Sequence, residues 1–540
     1  MSPFINSSVF KTLLVVTLLI QFNRTSAQLS SITKNFGGGN NDYAYNSTVT
    51  KDGDVIIVGS TESFGSGTLD TSDNYILKLD RSGNVLWSKT VGSASLEELY
   101  WVESTEDSAF VVCGTIRKLP NFPNELEVFK IDDSGNVLWK KRYTITGSEV
   151  AHCIRSVPGG FLLICETDNG TDYDFAVIRL DLNGDVLWNH TYGTNEFDIP
   201  IHAERTSDGG YLIGGNSRVG NYYSSVYLVK IDSIGNFLWS KKYNTSPAFS
   251  KCSLSRVLET QDHGFIIAGA TNADNLVIND ALLIRTDSVG NMRWIYTYGE
   301  QGDDHAFDMK ILQDGTYLFC GSTSSVDITG LNDMMLMQVD TSGNLIGNWA
   351  WGYAGQEEDA YSFELLENSV VMLSGITDYS VTGWFDIAVE ISSLDPGGNC
   401  NQLNPVFRRL PSTINIISGP TVADTLIINV SSLPLPENQG SADTTICSTL
   451  MNVNDLDFSL TGSVYPNPVT NALYYNFDNS FTNDPAQFIL TDVHGEIVLV
   501  HDITGVPNGK IQLKGLSNGI YFGRINCGAL SWQGKIIIMD

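Results

Sequence analysis

The chain has 540 residues, with 61 acidic and 31 basic side chains and a net charge of −30. Nucleic-acid-binding proteins need a basic surface, so this balance argues against nucleic acid as a partner and is typical of a soluble protein outside the cell. Fifty glycines, apolar runs rich in valine, isoleucine and threonine, and the lack of long helical periodicity predict an all-β protein with many tight turns.

The first 27 residues have the pattern of an export signal. Lys11 precedes an apolar run over residues 13–20, and small residues follow up to Ala27. The run is too short to span a bilayer, so we expect a signal peptide that is cleaved between Ala27 and Gln28. No cysteine follows closely, which argues against a lipid anchor. No later run reaches about 18 apolar residues, so no membrane span is predicted in the mature chain.

One phrase recurs along the chain: an aspartate, a turn with glycine followed by Asn or Asp, and a tryptophan seven residues after the first aspartate. The copies lie at residues 80–87, 132–139, 181–188, 232–239 and 287–294, with a sixth, frayed copy at 340–344. Their glycines are 49 to 55 residues apart. A fixed period near fifty residues indicates a stacked or circular array of one supersecondary unit.

A single unit, such as residues 198–243, contains four short β runs separated by turn residues. Four strands in about fifty residues match one blade of a β-propeller. A turn of the Asp-Gly type separates the first two runs, and it occurs seven times, at residues 52–53, 107–108, 158–160, 208–210, 262–264, 314–315 and 367–368. The sequence therefore predicts seven blades within residues 28–400.

The seventh unit lacks a fourth strand, and a matching strand stands at the other end of the chain. Residues 31–37 align with residues 87–92, with Ile32 at the position of Trp87. We predict that this N-terminal strand completes the seventh blade and closes the ring, which leaves no unfinished blade at the seam.

The recurring tryptophans are predicted to pack between adjacent blades, because packing positions repeat in every unit whereas ligand sites rarely do. Around Trp87 the phrase resembles the blade motif of quinoprotein-like and kelch-like propellers, with the aspartate, glycine and tryptophan in similar order. The alanine and threonine of that motif are missing. The resemblance implies the blade fold; no quinone or other cofactor is expected from it.

An acidic residue stands eight to ten residues before the first turn in most units. This set comprises Asp42, Glu98, Glu149, Asp198, Asp304 and Asp359, and Cys252 takes the place in the fifth unit. In a closed ring these residues would share one rim. One interpretation is a local hydrogen bond that shapes the incoming loop. The other is a carboxylate-lined mouth that binds Ca²⁺ or a polycationic ligand.

Catalytic and metal-binding motifs are otherwise missing from the sequence. No Gly-x-Ser-x-Gly motif or phosphate-binding loop occurs, and none of the seven histidines recurs at an equivalent position or has metal-ligand spacing. Of the eight cysteines, Cys113 and Cys320 precede equivalent repeat glycines in different units, so they are predicted to be small buried thiols. Cys400 and Cys447 form the one pair considered for a disulfide.

After the repeats, residues 401–457 are rich in Ser, Thr, Asn and Pro and are interpreted as a linker or irregular extension. A small β-sandwich is predicted over residues 458–540. It opens with Tyr465-Pro466-Asn467-Pro468, contains Gly519 and Tyr521 in a Leu-x-x-Gly-Ile-Tyr strand, and ends in a basic-apolar run at Lys535. It departs from the usual basic ending in its last two residues, Met539 and Asp540.

These motifs resemble the type A C-terminal sorting domain of the bacterial type IX secretion system. The resemblance implies a source in the Bacteroidota, the type IX secretion machinery as a partner, and a secreted or cell-surface location. The near-regular repeat units favour a non-enzymatic binding or adhesion protein whose ligand is a glycan or a protein. The alternative is a glycan-degrading hydrolase or lyase, which rests on analogy with other propellers alone.

Overall fold

A computed structural model of the chain describes residues 32–394 except for loop residues 66–70, 94, 118–122, 146, 220–222, 246–250, 273–277, 327–329, 354, 367–368 and 379–383. Between 402 and 538 it describes chiefly the strands. Ala27, Gln28 and the whole predicted signal peptide lie outside the described residues. The chain divides into two compact units, one over Leu29–Thr449 and one that includes Leu450–Asp540.

The first unit contains seven antiparallel sheets, and each contains the strands of one sequence repeat. The first strands are β2 (Asp42–Val49), β6 (Leu96–Ser104), β10 (Glu149–Val157), β14 (Phe197–Arg205), β18 (Cys252–Glu259), β22 (Asp304–Ile311) and β26 (Glu358–Leu365). The second strands are β3 (Val55–Thr61), β7 (Phe110–Arg117), β11 (Gly160–Asp168), β15 (Tyr211–Val219), β19 (Phe265–Thr271), β23 (Tyr317–Thr323) and β27 (Val370–Thr377).

The outer part of each sheet repeats in the same way. The third strands are β4 (Asp73–Leu79), β8 (Glu125–Ile131), β12 (Tyr173–Leu180), β16 (Tyr223–Ile231), β20 (Asp280–Thr286), β24 (Asp333–Val339) and β28 (Asp386–Ser393). The fourth strands are β5 (Val85–Val91), β9 (Val137–Thr144), β13 (Val186–Gly193), β17 (Phe237–Thr245), β21 (Met292–Gly299), β25 (Leu345–Trp351) and, for the seventh blade, β1 (Ile32–Gly37).

The first strands of successive blades contact one another, and β2 contacts both β6 and β26, so the ring is closed. At the seam, β1 pairs with β28 and places Ile32 opposite Ile391, as Trp87 lies opposite Lys78 in the first blade. The seven-bladed propeller and its closure by the N-terminal strand are therefore confirmed.

Each blade has a fifth strand, which the repeat did not predict. These strands come from the segment interpreted as a linker or irregular extension, and we call them the belt: β29 (Gln402–Leu403), β30 (Arg408–Pro411), β31 (Ile414–Ile417), β32 (Val422–Asp424), β33 (Asn429–Ser432), β34 (Glu437–Asn438) and β35 (Ala442–Ser448). They pair with the fourth strands in the order of blades six, five, four, three, two, one and seven. The belt therefore covers one edge of every blade, and that edge would otherwise offer unpaired backbone groups.

The repeated tryptophans pack against the turn of the following blade. Trp239 of the fourth blade lies 6.2 Å from the Phe265 ring of the fifth blade, measured between ring centroids, and beside Gly290 in the next hairpin turn. That glycine has a φ of 77°, which favours a residue without a side chain. The indole of Trp87 also donates a hydrogen bond to the carbonyl of Asp133 in the next blade, at 3.1 Å. The geometry is that of a packing residue between blades.

The second unit contains two sheets. One has the order β36 (Phe458–Ser459), β43 (Leu530–Ile538), β42 (Gly519–Cys527), β39 (Ala486–Thr491) and β40 (Ile497–Asp502). The other has the order β37 (Gly462–Tyr465), β38 (Ala472–Phe477) and β41 (Asn508–Gln512).

The residues singled out from the sorting motif fall mainly on these strands. Tyr465 ends β37, Gly519 begins β42 and Lys535 lies in β43, while Tyr521 is buried in a cluster that also contains Leu473 of the other sheet. Pro466, Asn467 and Pro468 lie outside the described residues.

The prediction for Cys113 and Cys320 is confirmed, because both are buried free thiols. Cys400 lies outside the described residues, so the disulfide with Cys447 stays a prediction. In the described part of the chain, no helix is long and apolar enough to cross a membrane.

Candidate functional site

Every first strand contains a β-bulge at the same level. The register shifts between residues 44 and 46, 99 and 101, 151 and 153, 200 and 202, 254 and 256, 306 and 308, and 360 and 362. The residue before each bulge lies opposite a glycine of the second strand in six blades and opposite Cys165 in the third. Because side chains alternate along a strand and a bulge re-aims them locally, these bulges fix which residues point into the blade and which point to the axis.

A carboxylate points into the blade two residues before the bulge level in six of the seven blades. This set comprises Asp42, Glu97, Glu149, Asp198, Asp304 and Glu358, and Cys252 takes its place in the fifth blade. All six carboxylates are buried, with at most 5% of the residue exposed.

These buried carboxylates bind the loop that enters their blade. The backbone N–H of Gly38 donates to Asp42 at 2.9 Å, and the backbone N–H of Thr194 donates to Asp198 at 2.6 Å. In the seventh blade the Thr377 hydroxyl donates to Glu358 at 2.9 Å. Each bond joins the first strand to a neighbouring loop or strand, as the loop-shaping interpretation requires.

Burial raises the pKa of every carboxyl in this set. It raises the pKa of Glu97 to about 7, with a contribution from Glu127, and that of Glu149 to about 7. The pKa of Asp304 rises to about 6 and that of Glu358 to about 8, both through burial, and the pKa values of Asp42 and Asp198 rise for the same reason. Their ionisation is therefore linked to the stability of the fold.

Glu98 and Asp359, which the sequence grouped with this set, lie one residue further along their strands. The register places Glu97 and Glu358 at the buried position instead. A shift of one residue turns a side chain to the opposite face of a strand, so Glu98 and Asp359 point to the axis. Asp42, Glu149, Asp198 and Asp304 therefore share one buried register, and Glu98 and Asp359 do not share it. That this set binds a ligand stays a prediction.

Aromatic rings surround these two carboxylates at the axis. The Tyr43 and Tyr45 rings are stacked with centroids 6.0 Å apart and an interplanar angle of 3°. Tyr45 also lies 5.3 Å from Tyr100 and 6.4 Å from Tyr361, again between centroids. The Tyr361 ring lies 5.2 Å from Phe307. These five residues belong to blades six, seven, one and two, which are consecutive in the ring, and we call them the axial aromatic face.

The two carboxylates are hydrogen-bonded to this face. The Tyr100 hydroxyl donates to Glu98 at 2.5 Å, and the Tyr361 hydroxyl donates to Asp359 at 3.1 Å. Arg117 adds an ion pair with Glu98 at 3.1 Å. The side chain of Glu98 is 21% exposed, so its charge is accessible to solvent.

The other side of the axis has a different composition. In blades three, four and five, the residues at the same register as Tyr43 and Tyr45 are Val150 and His152, Ile199 and Ile201, and Ser253 and Ser255. The axial lining therefore breaks the sevenfold repeat, with aromatic and acidic side chains on one side and small or aliphatic ones, with one histidine, on the other.

Below the axial aromatic face, packed side chains fill the axis. The Trp101 ring of blade two lies 5.2 Å from the His202 ring of blade four, and the guanidinium of Arg256 in blade five lies 4.5 Å from the Trp101 centroid. Residues of non-adjacent blades can meet in this way only across the axis. Arg256 also pairs with Asp308 at 2.5 Å. Trp101, His202 and Arg256 are all at least 92% buried, so side chains fill the axis at this level.

A cleft of about 560 Å³ lies between blades five and six at their turn ends. It is lined by Arg285, Arg293 and Asp262, and both arginines pair with that one aspartate. Arg285 also donates to the carbonyls of Phe265 and Thr286, so the polar side chains of this cleft hold one another and the adjacent backbone. We therefore take the axial aromatic face as the stronger candidate.

Within the part of the chain that the structure describes, no group of three or more His, Cys, Asp or Glu side chains is arranged to hold a metal ion. Binding of Ca²⁺ or a polycation at the predicted rim stays a prediction.

The sequence does contain a pattern that identifies the buried carboxylate position of each first strand. Asp42, Glu97 and Glu358 precede a glycine of the second strand (Gly59, Gly114 and Gly375, respectively) by the same 17 residues. Counting from this glycine, instead of from the turn, would have found both Glu97 and Glu358. The same glycine also marks four residues of the axial aromatic face, because Tyr45, Tyr100, Phe307 and Tyr361 each precede it by 14 residues.

Comparison with known proteins identifies the end of the chain. Residues 463–539 match the secretion system C-terminal sorting domain. This domain marks proteins that are secreted or attached to the cell surface, and it implies interaction with the type IX secretion machinery.

No curated protein matches the chain. A solved structure titled "Crystal structure of tetra-tandem repeat in extending region of large adhesion protein" shares 11% identity, over 95% of this chain and 92% of that one, with a TM-score of 0.11. A similarity this slight supports no conclusion about fold or function.

Proposed function

We propose that the protein is an exported binding protein whose propeller captures an extracellular glycan or protein at the axial aromatic face. The observation that supports this function is the break in symmetry. The side chains that point into the blades repeat, whereas Tyr45, Tyr100 and Tyr361 gather on one side of the axis. Aromatic side chains supply large contact area, which is why they are frequent at binding surfaces.

A glycan array and a protein pull-down with the mature protein test this function. We expect a bound ligand whose capture is lost in Tyr45→Ala and retained in Ser255→Ala, the variant at the same register in the fifth blade. Capture that survives Tyr45→Ala would place the binding site elsewhere on the molecule.

The alternative function, a glycan-degrading hydrolase or lyase, would use Glu98 and Asp359 as its acidic pair. We favour binding because both carboxylates already accept hydrogen bonds from tyrosine hydroxyls, and Glu98 also pairs with Arg117. Release of reducing ends from a bound glycan, abolished by Glu98→Gln, would establish the enzyme instead.

Export in a member of the Bacteroidota by a cleaved signal peptide belongs to the same proposal. It rests on the pattern of residues 1–27 together with the sorting domain at residues 463–539. N-terminal sequencing of the protein recovered outside the cells should begin at Gln28, and any other start would move the cleavage site.

A further inference from the structure

The electrostatic surroundings of the axial aromatic face are negative. Tyr43 has Glu62 and Glu98 as charged neighbours, and Tyr361 has Asp359 and Glu357. His305, stacked on Phe307 at the edge of the face, has Asp303 and Asp359 as its charged neighbours. Among the described residues, Arg117 is the cation that contacts these side chains, and Glu98 neutralises it. The excess of carboxylates attracts a positive ligand.

The rings present faces at several inclinations around Tyr45. Tyr43 stacks on it nearly parallel, Tyr100 is tilted by 44° and Tyr361 by 34°. A cation within about 6 Å of an aromatic centroid is attracted by the electron-rich face, and several rings around one point add their contributions. All five residues of the axial aromatic face are partly exposed.

Two of the phenols donate their hydroxyl protons to carboxylates, which increases the electron density of the rings. These are Tyr100, bonded to Glu98, and Tyr361, bonded to Asp359. Burial and the nearby carboxylates also raise the pKa of both phenols, so the rings stay neutral over the physiological range. The face therefore combines neutral rings with fixed carboxylate counter-charges.

We propose that the axial aromatic face binds an organic ammonium group, from a lysine side chain or a quaternary ammonium compound. The ammonium group is held against Tyr45, Tyr100 and Tyr361, with Glu98 and Asp359 as counter-charges. The inference rests on the proposed function, since it takes the axial face as the ligand site, and it names the chemistry of the ligand. A neutral sugar would gain nothing from the surplus of negative charge.

Calorimetric titration of the mature full-length protein with matched probes tests the inference. Choline is compared with 3,3-dimethyl-1-butanol, its uncharged isostere, and Nα-acetyl-lysine amide with Nα-acetyl-norleucine amide. We expect at least one ammonium probe to bind at least about tenfold more tightly than its neutral partner, and its affinity to fall as salt screens the partly exposed carboxylate of Glu98. The two probe pairs distinguish a quaternary from a primary ammonium ligand.

Three variants locate the binding. Tyr45→Leu keeps an apolar side chain but removes the ring, and we expect it to lose ammonium binding. Glu98→Gln should weaken binding several-fold, and Ser255→Ala should bind as the wild type does. Thermal unfolding of each variant confirms that it is folded, since Tyr45 is partly exposed and its replacement leaves the blade core intact.

The inference would be overturned if the neutral isosteres bound as tightly as the ammonium probes, or if no ammonium probe released heat. It would also be overturned if Tyr45→Leu bound the probes as the wild type does. The proposed function has its own readout: ligand capture that depends on Tyr45 in the array or pull-down would stand even if every ammonium probe failed. Loss of both signals would remove the axial face as a ligand site.

Discussion

On each innermost strand, the side chains that point into the blade repeat from unit to unit, whereas those that point to the axis differ from blade to blade. The inward set is a buried carboxylate followed two residues later by a small or apolar residue, as in Asp42 and Ala44. The axial set ranges from Tyr43 and Tyr45 to Ser253 and Ser255. Both sets lie on the same strands and are separated by single residues.

This difference shows how a protein built from repeated blades can keep a regular fold and still form a single ligand site. Every blade must dock on its neighbours in the same way, so the residues that bind the loops and fill the seams are constrained. The axial side chains of neighbouring blades meet only around the axis, and there they are free to differ. Substitutions in these two sets and in the elements around them test this distinction.

The largest effect should come from the glycine opposite the bulge. A Cβ on Gly321 would overlap the carbonyl oxygen of His305 in the first strand of the sixth blade, so we expect Gly321→Ala to cost about 3 kcal/mol of unfolding free energy. Gly39→Ala is the control, because a Cβ there meets no atom within 4 Å, and it should change stability by less than about 0.5 kcal/mol. Equal stability of the two variants in urea unfolding would refute the close approach.

The inter-blade tryptophans should come next. Replacing half-buried Trp239 by Ala removes its packing against Phe265 and the Gly290 turn, and should cost about 2 kcal/mol. Trp239→Ile should cost roughly half as much, since the seventh blade places Ile32 at this register. Unfolding midpoints in urea measure both. An Ile variant as unstable as the Ala variant would show that the seam of the seventh blade is held differently.

The buried carboxylates should make stability depend on pH. Glu358 has its pKa raised by burial to about 8, so the folded state binds its proton more tightly than the unfolded state does. Its contribution is complete below the unfolded pKa, near 4.5, and is lost as the pH rises towards 8.

Glu358→Gln removes this titration. The variant should be more stable than the wild type at pH 8.5 by roughly 2 kcal/mol, with little difference at pH 4.5. Urea unfolding at the two pH values measures the change. A wild type that gains stability relative to the variant as the pH rises would reverse the sign and contradict the account.

The belt should give the smallest and most local effect. Ile416 of β31 pairs with Tyr243 of the fourth blade, so Ile416→Pro should free that edge without unfolding the propeller. Hydrogen exchange should accelerate in Phe237–Thr245 and stay unchanged in the fourth strands of the other blades, which serve as internal controls. Uniform exchange across all seven edges, before and after the substitution, would mean that the belt does not protect them.

The features of the fold that could be predicted from the sequence are those that repeat in every unit. The sequence phrase around Trp87 predicts the blade, and the recurring turn predicts the number of blades. The match of Ile32 to Trp87 predicts the closure of the ring. Each of these patterns reflects a packing constraint that is present in every unit. The register of Glu97 and Glu358 was missed because turns vary in length, whereas the spacing to the bulge glycine is held by strand pairing.

The belt was not predictable for a different reason, and for the axial aromatic face the sequence marks the positions of the rings but not their meeting. The belt strands have two to seven residues each and pair through backbone groups, so neither apolar periodicity nor a repeat marks them. The aromatic face joins residues such as Tyr45 and Tyr361, which are 316 positions apart in the sequence. Only the closed ring brings them together.

Glu97 and Glu98 are adjacent in the chain and point in opposite directions, so they test the separation of the two faces most directly. Both Glu97→Gln and Glu98→Gln should be assayed for unfolding free energy at pH 5 and 8 and for ligand capture. We expect Glu97→Gln to flatten the loss of stability with rising pH and to bind normally, and Glu98→Gln to bind weakly with the stability of the wild type. Weak binding by Glu97→Gln together with altered stability in Glu98→Gln would contradict the assignment of the two faces.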